Sequence, residues 1–238
     1  MALHTTQDLA YWHMPKTGGM SVYRILREIS PTYAVVRGPR RHSPVEDIPP
    51  ELLEGKKLFG TVRDPWSWYA SLYQHAASGA DGLEKLEKWG GGDTSFEAVL
   101  YGWTHPSEDR VQDQFGVVWE FPGDQAPDLR RKLLDSGQGF YTWAFDYVYG
   151  DPIRPYILID TSRLAEGVAE LLGVPLSEVE AVRMQNRATH RPKSAFKVPQ
   201  EEYTEEMRDW VWEAEKQLVG IFDSKPFWRA PSPVVWEG

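Results

Sequence analysis

Apolar and polar residues alternate along this chain in two periods. Leu9-Ala10-Tyr11-Trp12-His13-Met14, Tyr33-Ala34-Val35-Val36, Leu58-Phe59-Gly60-Thr61-Val62 and Tyr156-Ile157-Leu158-Ile159-Asp160 are short apolar runs with the length and composition of buried strands. Between them apolar residues recur at helical spacing. After the first run they include Met20, Tyr23, Ile25, Leu26 and Ile29, and after the third Trp68 and Leu72. Residues 95–103 and 125–149 read as largely helical, with loops between. Leu164 to Leu172 reads as a helix stopped by Gly173 and Pro175, and residues 201–223 as a long amphipathic helix. Residues 37–50 are basic and then proline-rich, Gly90-Gly91-Gly92-Asp93 is a break, and residues 184–200 are basic and predicted irregular. No internal repeat is visible. Strands alternating with helices predict an α/β fold: three layers, α/β/α, around a central parallel sheet, with residues 1–238 as one domain.

Two strand-to-helix junctions carry chemistry. The first is His13-Met14-Pro15-Lys16-Thr17-Gly18-Gly19-Met20-Ser21, and the second is Val62-Arg63-Asp64-Pro65, followed by Ser71. A helix start presents unpaired N–H groups and a positive dipole end, so a Lys or Arg beside it makes an anion site. Gly18 and Gly19 allow close backbone approach, and Thr17 and Ser21 are candidate hydroxyl donors. Lys16 is suited to neutralising charge that grows on a bridging oxygen during group transfer. Lys16 precedes the glycines, so the order differs from a Walker A loop. Asp64-Pro65 is a helix-start pair, Asp suited to the cap and Pro to the first helical position. Two anion sites suggest a ligand with anionic groups at both ends.

Charge and composition narrow the partners. The formal net charge is −9, which disfavours nucleic acid and anionic membranes as main partners. There is no cysteine, so disulfides and thiolate metal sites are excluded. No apolar run approaches the ~18 residues of a membrane span and no leader pattern is visible, so a cytoplasmic protein is expected.

Pro15-Lys16-Thr17-Gly18-Gly19-Met20-Ser21 resembles the 5′-phosphosulfate loop of sulfotransferases, and Val62-Arg63-Asp64-Pro65 with Ser71 resembles their 3′-phosphate motif. The similarity extends weakly over nearly the whole chain, and the Pro-Lys-Thr-Gly-Gly form is closer to the carbohydrate-type branch. Met20 departs from the pattern, standing where the family usually has Thr. The resemblance implies a P-loop-NTPase-like sulfotransferase fold and 3′-phosphoadenosine-5′-phosphosulfate as sulfuryl donor, with no metal. It implies donor binding by Lys16, Thr17, Gly18, Gly19, Met20, Ser21, Arg63 and Ser71. Arg191, in the late basic stretch with Arg187, His190 and Lys193, joins them, because such a segment in the family closes over the donor's 3′-phosphate or contacts the acceptor. The acceptor, a hydroxyl or amine on a small molecule or glycan, is not readable from the sequence, nor is the oligomeric state.

A hydroxyl acceptor must lose a proton, which calls for a base. His42 is the chosen candidate, in the loop between the two anion motifs, where Arg37, Arg40 and Arg41 would disfavour its protonated form. Glu28, His13 and His190 are the alternatives; His13 is read mainly as a brace for the loop, and His75 and His105 as structural or exposed. Two other functional classes stay open: a P-loop kinase, for which Asp160 would be the magnesium-binding candidate, and a nucleotide-binding protein without catalysis.

Overall fold

The structure is a computed structural model that describes residues 2–37, 44–78, 82–111, 126–150, 157–189, 203–222 and 227–229. It is an α/β protein. Its strands are β1 (Ala2–Thr5), β2 (Leu9–Tyr11), β3 (Ala34–Arg37), β4 (Lys57–Val62), β5 (Ile157–Asp160) and β6 (Phe227–Arg229), in the sheet order β3-β1-β2-β4-β5-β6. The sheet is mixed, which corrects the expectation of a parallel one. β2, β4 and β5 are parallel, whereas β1 is antiparallel to both β2 and β3, and β6 to β5. The parallel strands are the buried apolar runs of the sequence. The antiparallel strands are short additions flanking them: β1 is paired on both sides, and β3 and β6 form the edges.

The chain divides into two compact units, each discontinuous in sequence. The first comprises residues 1–63, 146–192 and 224–238, and the second residues 64–145 and 193–223. The first unit holds the sheet together with α1 (Gly19–Ile29), α7 (Leu164–Leu172) and α8 (Leu176–Thr189). Alternate strand residues face these helices. Leu9, Tyr11, Phe59, Ile157 and Ile159 pack with Val22, Ile25, Leu26, Leu164, Val168 and Val179 in one buried cluster. α8 continues to Thr189, so residues 184–189, expected to be irregular, are helical. Met184, Gln185, Arg187 and Ala188 are good helix formers, and the preceding turns of α8 pack on α7 and α1. α7 ends as predicted: Gly173 adopts the left-handed conformation (φ 66°), and its N–H bonds the Glu170 carbonyl.

The second unit is helical. It contains α2 (Pro65–Ala77), α3 (Gly82–Trp89), α4 (Phe96–Thr104), α5 (Ala126–Ser136) and α9 (Glu205–Phe222), with the first turns of α6 (Phe140–Tyr149). Its core is aromatic: Trp68 stacks on Tyr141 at 4.1 Å, and Tyr69 on Trp103 at 5.7 Å. Its centre also holds one carboxyl group. Glu215 is fully buried and accepts hydrogen bonds from the Tyr69 hydroxyl, the Tyr141 N–H (3.3 Å), the Thr142 N–H (2.7 Å) and the Thr142 hydroxyl (2.5 Å). Tyr141 and Thr142 lie in the first turn of α6, whose preceding residue, Gly139, has no side chain to cap it. A Cβ on Gly139 would sit 2.1 Å from Glu215 Oε1, so the glycine makes room for a cap supplied from α9. α9 departs from helical geometry at Glu215 (φ −113°, ψ 16°). Among the described residues no helix is long and apolar enough to cross a membrane.

Candidate functional site

The carboxyl ends of the three parallel strands bring the candidate residues of the first unit together, the usual place for ligands in open α/β sheets. β2 ends at Tyr11, and the Trp12 N–H still bonds the Phe59 carbonyl (3.0 Å). Two residues further along β4 the ladder is taken over by a side chain. The Tyr149 hydroxyl accepts from the Thr61 N–H (3.0 Å) and donates to the Thr61 carbonyl (2.8 Å). Gly60 permits this, since a Cβ there would lie 2.6 Å from the Tyr149 ring. The chain after β2 is thereby released from the sheet and free to form the loop.

The loop is tied down by hydroxyls. Thr17 is fully buried, and its hydroxyl donates to the Met14 carbonyl (2.7 Å). Its one proton being committed there, Thr17 Oγ1 accepts from the Thr61 hydroxyl (2.8 Å), which accepts from the Tyr11 hydroxyl (2.9 Å). The Thr17 hydroxyl expected to face a ligand is therefore spent inside the protein, and Thr17 has only its backbone N–H to offer. Burial pushes the Tyr11 and Tyr149 hydroxyls up from their ordinary pKa, so both stay protonated as donors.

Lys16 and Gly18 have positive φ (64° and 81°), with Thr17 between them. Such an alternation turns successive N–H groups to one side and forms an anion-binding nest. Lys16 is the only non-glycine with positive φ among the described residues. That conformation costs a side-chain-bearing residue roughly 1–2 kcal/mol. Gly18 caps α1 without a side chain, and a Cβ on it would approach Thr161 Cγ2 (3.3 Å) and Leu164 Cδ2 (3.4 Å). Gly19 lies under the His13 ring, 1.9 Å from where a Cβ would be, so His13 braces the loop as the sequence suggested. The N–H groups of Ser21 and Val22 bond the Gly18 carbonyl (2.9 and 3.3 Å), leaving those of Gly19 and Met20 as the open donors of the helix start. The Met20 side chain is 55% exposed, and Ser21 is half-buried at the next position.

Arg63 follows β4 and brings a second cation to this end of the sheet, half-buried like Lys16. Burial, and then the Arg63 charge, lower the Lys16 ammonium from its ordinary 10.5 to about 8. Among the described residues no carboxylate pairs with Lys16. Thr161 donates to the Val62 carbonyl (2.5 Å), and Asp160 Oδ1 accepts from the Ser162 N–H (2.7 Å), which closes the turn after β5. The carboxylate weighed as a magnesium ligand thus has one oxygen engaged in a local cap. Glu28 is exposed and paired with Arg27 (2.6 Å), and His105 is exposed and stacked on Tyr101 (4.4 Å).

In the second unit, Asp64 caps α2 as predicted: Oδ1 accepts from the Ser67 N–H (2.8 Å), with Pro65 at the first helical position. Ser71 lies half-buried on α2. His42 and Arg191 lie outside the described residues, as do Arg40, Arg41, His190 and Lys193. Among the described residues no group of three or more acidic or histidine side chains is placed to hold a metal ion. No family model, curated protein or solved structure matches the chain.

Proposed function

We propose that this protein is a sulfotransferase with the P-loop-like, three-layer fold of that family. It takes 3′-phosphoadenosine-5′-phosphosulfate as donor and a hydroxyl or amine of a small molecule or glycan as acceptor. The observation that carries the reading is the pairing of Lys16 with Arg63. A lysine at a helix start whose proton is loosened by burial and by the Arg63 charge is held charged by a polyanion beside it. The residues present suit such a group: a nest at 16–18, the open N–H groups of Gly19 and Met20, and Ser21 close by. The donor supplies an activated sulfuryl group whose bond to the phosphate breaks as the acceptor bond forms.

The chain's own residues divide the remaining work. Lys16 stabilises the charge left on the departing phosphate, and Arg63 with Ser71 is proposed to hold the 3′-phosphate. Arg191 is proposed to add to donor binding, and His42 to take the acceptor's proton.

The test is calorimetric titration with adenosine 3′,5′-bisphosphate in the absence of magnesium. The wild-type chain should bind, and Arg63→Ala should weaken binding by about 2–3 kcal/mol with unchanged circular dichroism. Absence of binding by the wild-type chain, or an unaltered affinity in Arg63→Ala, overturns the reading.

A further inference from the structure

Lys16 adopts a backbone conformation that a lysine does not choose freely, and something must hold it there. The residue after it is joined to the second residue before it. The Thr17 hydroxyl reaches back across Lys16 to the Met14 carbonyl at 2.7 Å and closes a short ring around it. That ring is anchored to the sheet through Thr61, whose hydroxyl is 2.8 Å from Thr17 Oγ1 and whose backbone is gripped on both polar groups by Tyr149. Met14 and Thr17 are both fully buried, so the ring is closed to water that might replace the bond.

We infer that Thr17 is a positioning residue: its hydroxyl, bonded to the Met14 carbonyl, locks the left-handed turn at Lys16 and thereby keeps the ammonium group beside Arg63 rather than in solvent. Without the hydroxyl, Lys16 relaxes to negative φ and its long side chain finds water. The role in group transfer rests on the sulfotransferase reading, but the conformational role does not.

The experiment titrates the Lys16 Cε resonance by NMR in the nucleotide-free protein, assigned by its absence in Lys16→Arg. The wild-type lysine should titrate at about 8. In Thr17→Val, which keeps the shape and removes the hydroxyl, the midpoint should rise by at least one pH unit, a tenfold gain in proton affinity. Thr17→Ser keeps the bond to Met14 and should stay near the wild-type value. Thr61→Val removes the anchor but not the ring and should also stay near it. A wild-type midpoint in folded Thr17→Val overturns the inference. So does a raised midpoint in Thr17→Ser or Thr61→Val, and these two keep the test decisive if Thr17→Val fails to fold. Thermal stability alone would fall in either valine variant, so the titration separates positioning from mere support. Adding adenosine 3′,5′-bisphosphate to the wild-type sample tests the other reading separately. If Thr17→Val shifts the midpoint and the nucleotide does nothing, positioning stands and the sulfotransferase proposal falls.

Discussion

Anion binding at this site should take up a proton, and the amount follows from the environment of Lys16. Its ammonium titrates near 8 in the free protein, because burial and Arg63 both disfavour the charge. A polyanion beside both cations reverses the balance and returns the proton to Lys16. Taking about 8 for the free lysine and 10.5 or above for the bound one, binding takes up about 0.1 proton at pH 7, about 0.5 at pH 8 and about 0.9 at pH 9. Affinity for adenosine 3′,5′-bisphosphate should accordingly fall about tenfold from pH 7 to pH 9, or about 1.4 kcal/mol. The nucleotide's phosphates ionise near pH ~6, so they contribute little at pH 8–9. Stability of the free protein runs the other way. The lowered folded pKa means that the unfolded chain binds more protons between about 8 and 10.5, so stability rises with pH there. Proton uptake is read from calorimetric titrations in two buffers of different ionisation enthalpy, with Lys16→Met as control. Uptake near zero at pH 9, or the same uptake in Lys16→Met, would refute the placement of Lys16 against the bound anion.

Gly19→Ala should drive the His13 ring off the loop and cost about 1–3 kcal/mol of stability, with the double variant His13→Ala/Gly19→Ala recovering most of it in a denaturant titration. Glu215→Leu leaves two N–H groups and two hydroxyls without their acceptor and should destabilise by about 3–5 kcal/mol, measured by urea unfolding. Burial raises the Glu215 carboxyl above its ordinary 4.5 despite its four donors, so the folded state holds its proton more tightly than the unfolded chain. The wild-type advantage over Glu215→Leu should therefore be largest at acid pH and shrink as pH rises through the folded value. Met20→Thr puts a hydroxyl on an exposed position next to the open N–H groups of α1 and should tighten bisphosphate binding by about 0.5–1.5 kcal/mol in the same calorimetric assay.

The parts of the fold that were legible in the sequence are those fixed by neighbours in the chain. The central strands follow from apolar runs, the start of α2 from Asp64-Pro65, and the end of α7 from Gly173. β1 and β6 were missed because Ala-Leu-His-Thr and Phe-Trp-Arg are not apolar runs, and their pairing is decided by the strands alongside. The candidate site divides in the same way. The glycines, Lys16 and Arg63 were visible as a motif, and His13 as a brace. The Thr17 hydroxyl turns inward to the Met14 carbonyl, where it meets Thr61, 44 positions away. Glu215 carried no local signal at all. It reads as one acidic residue among several on α9, and only the contact with Tyr141 and Thr142, across more than 70 positions, reveals it as a helix cap. Gly139 was the available hint, a residue unable to cap the helix that follows it.

The buried hydroxyls of Tyr11, Thr17, Thr61 and Tyr149 serve the loop rather than the core. A hydrophobic plug in place of Tyr11, Thr17, Thr61 and Tyr149 would avoid desolvating their hydroxyls, and nothing in the packing of α1, α7 and α8 requires them. What they provide is direction. Tyr149 ends the β2–β4 ladder at a set residue, Thr61 ties the loop to the sheet, and the Thr17 bond to Met14 fixes the turn that carries Lys16. The loop is then held in a strained, doubly cationic arrangement before any ligand arrives, at the expense of stability. Such preorganisation is useful where charge must be met without reorganisation, as on a departing phosphate oxygen. A site that only bound an anion would do as well with Lys16 in solvent, flexible and fully charged at neutral pH. On the proposed function, a left-handed lysine held by a buried hydroxyl latch sets its charge in place for the departing phosphate before the donor arrives.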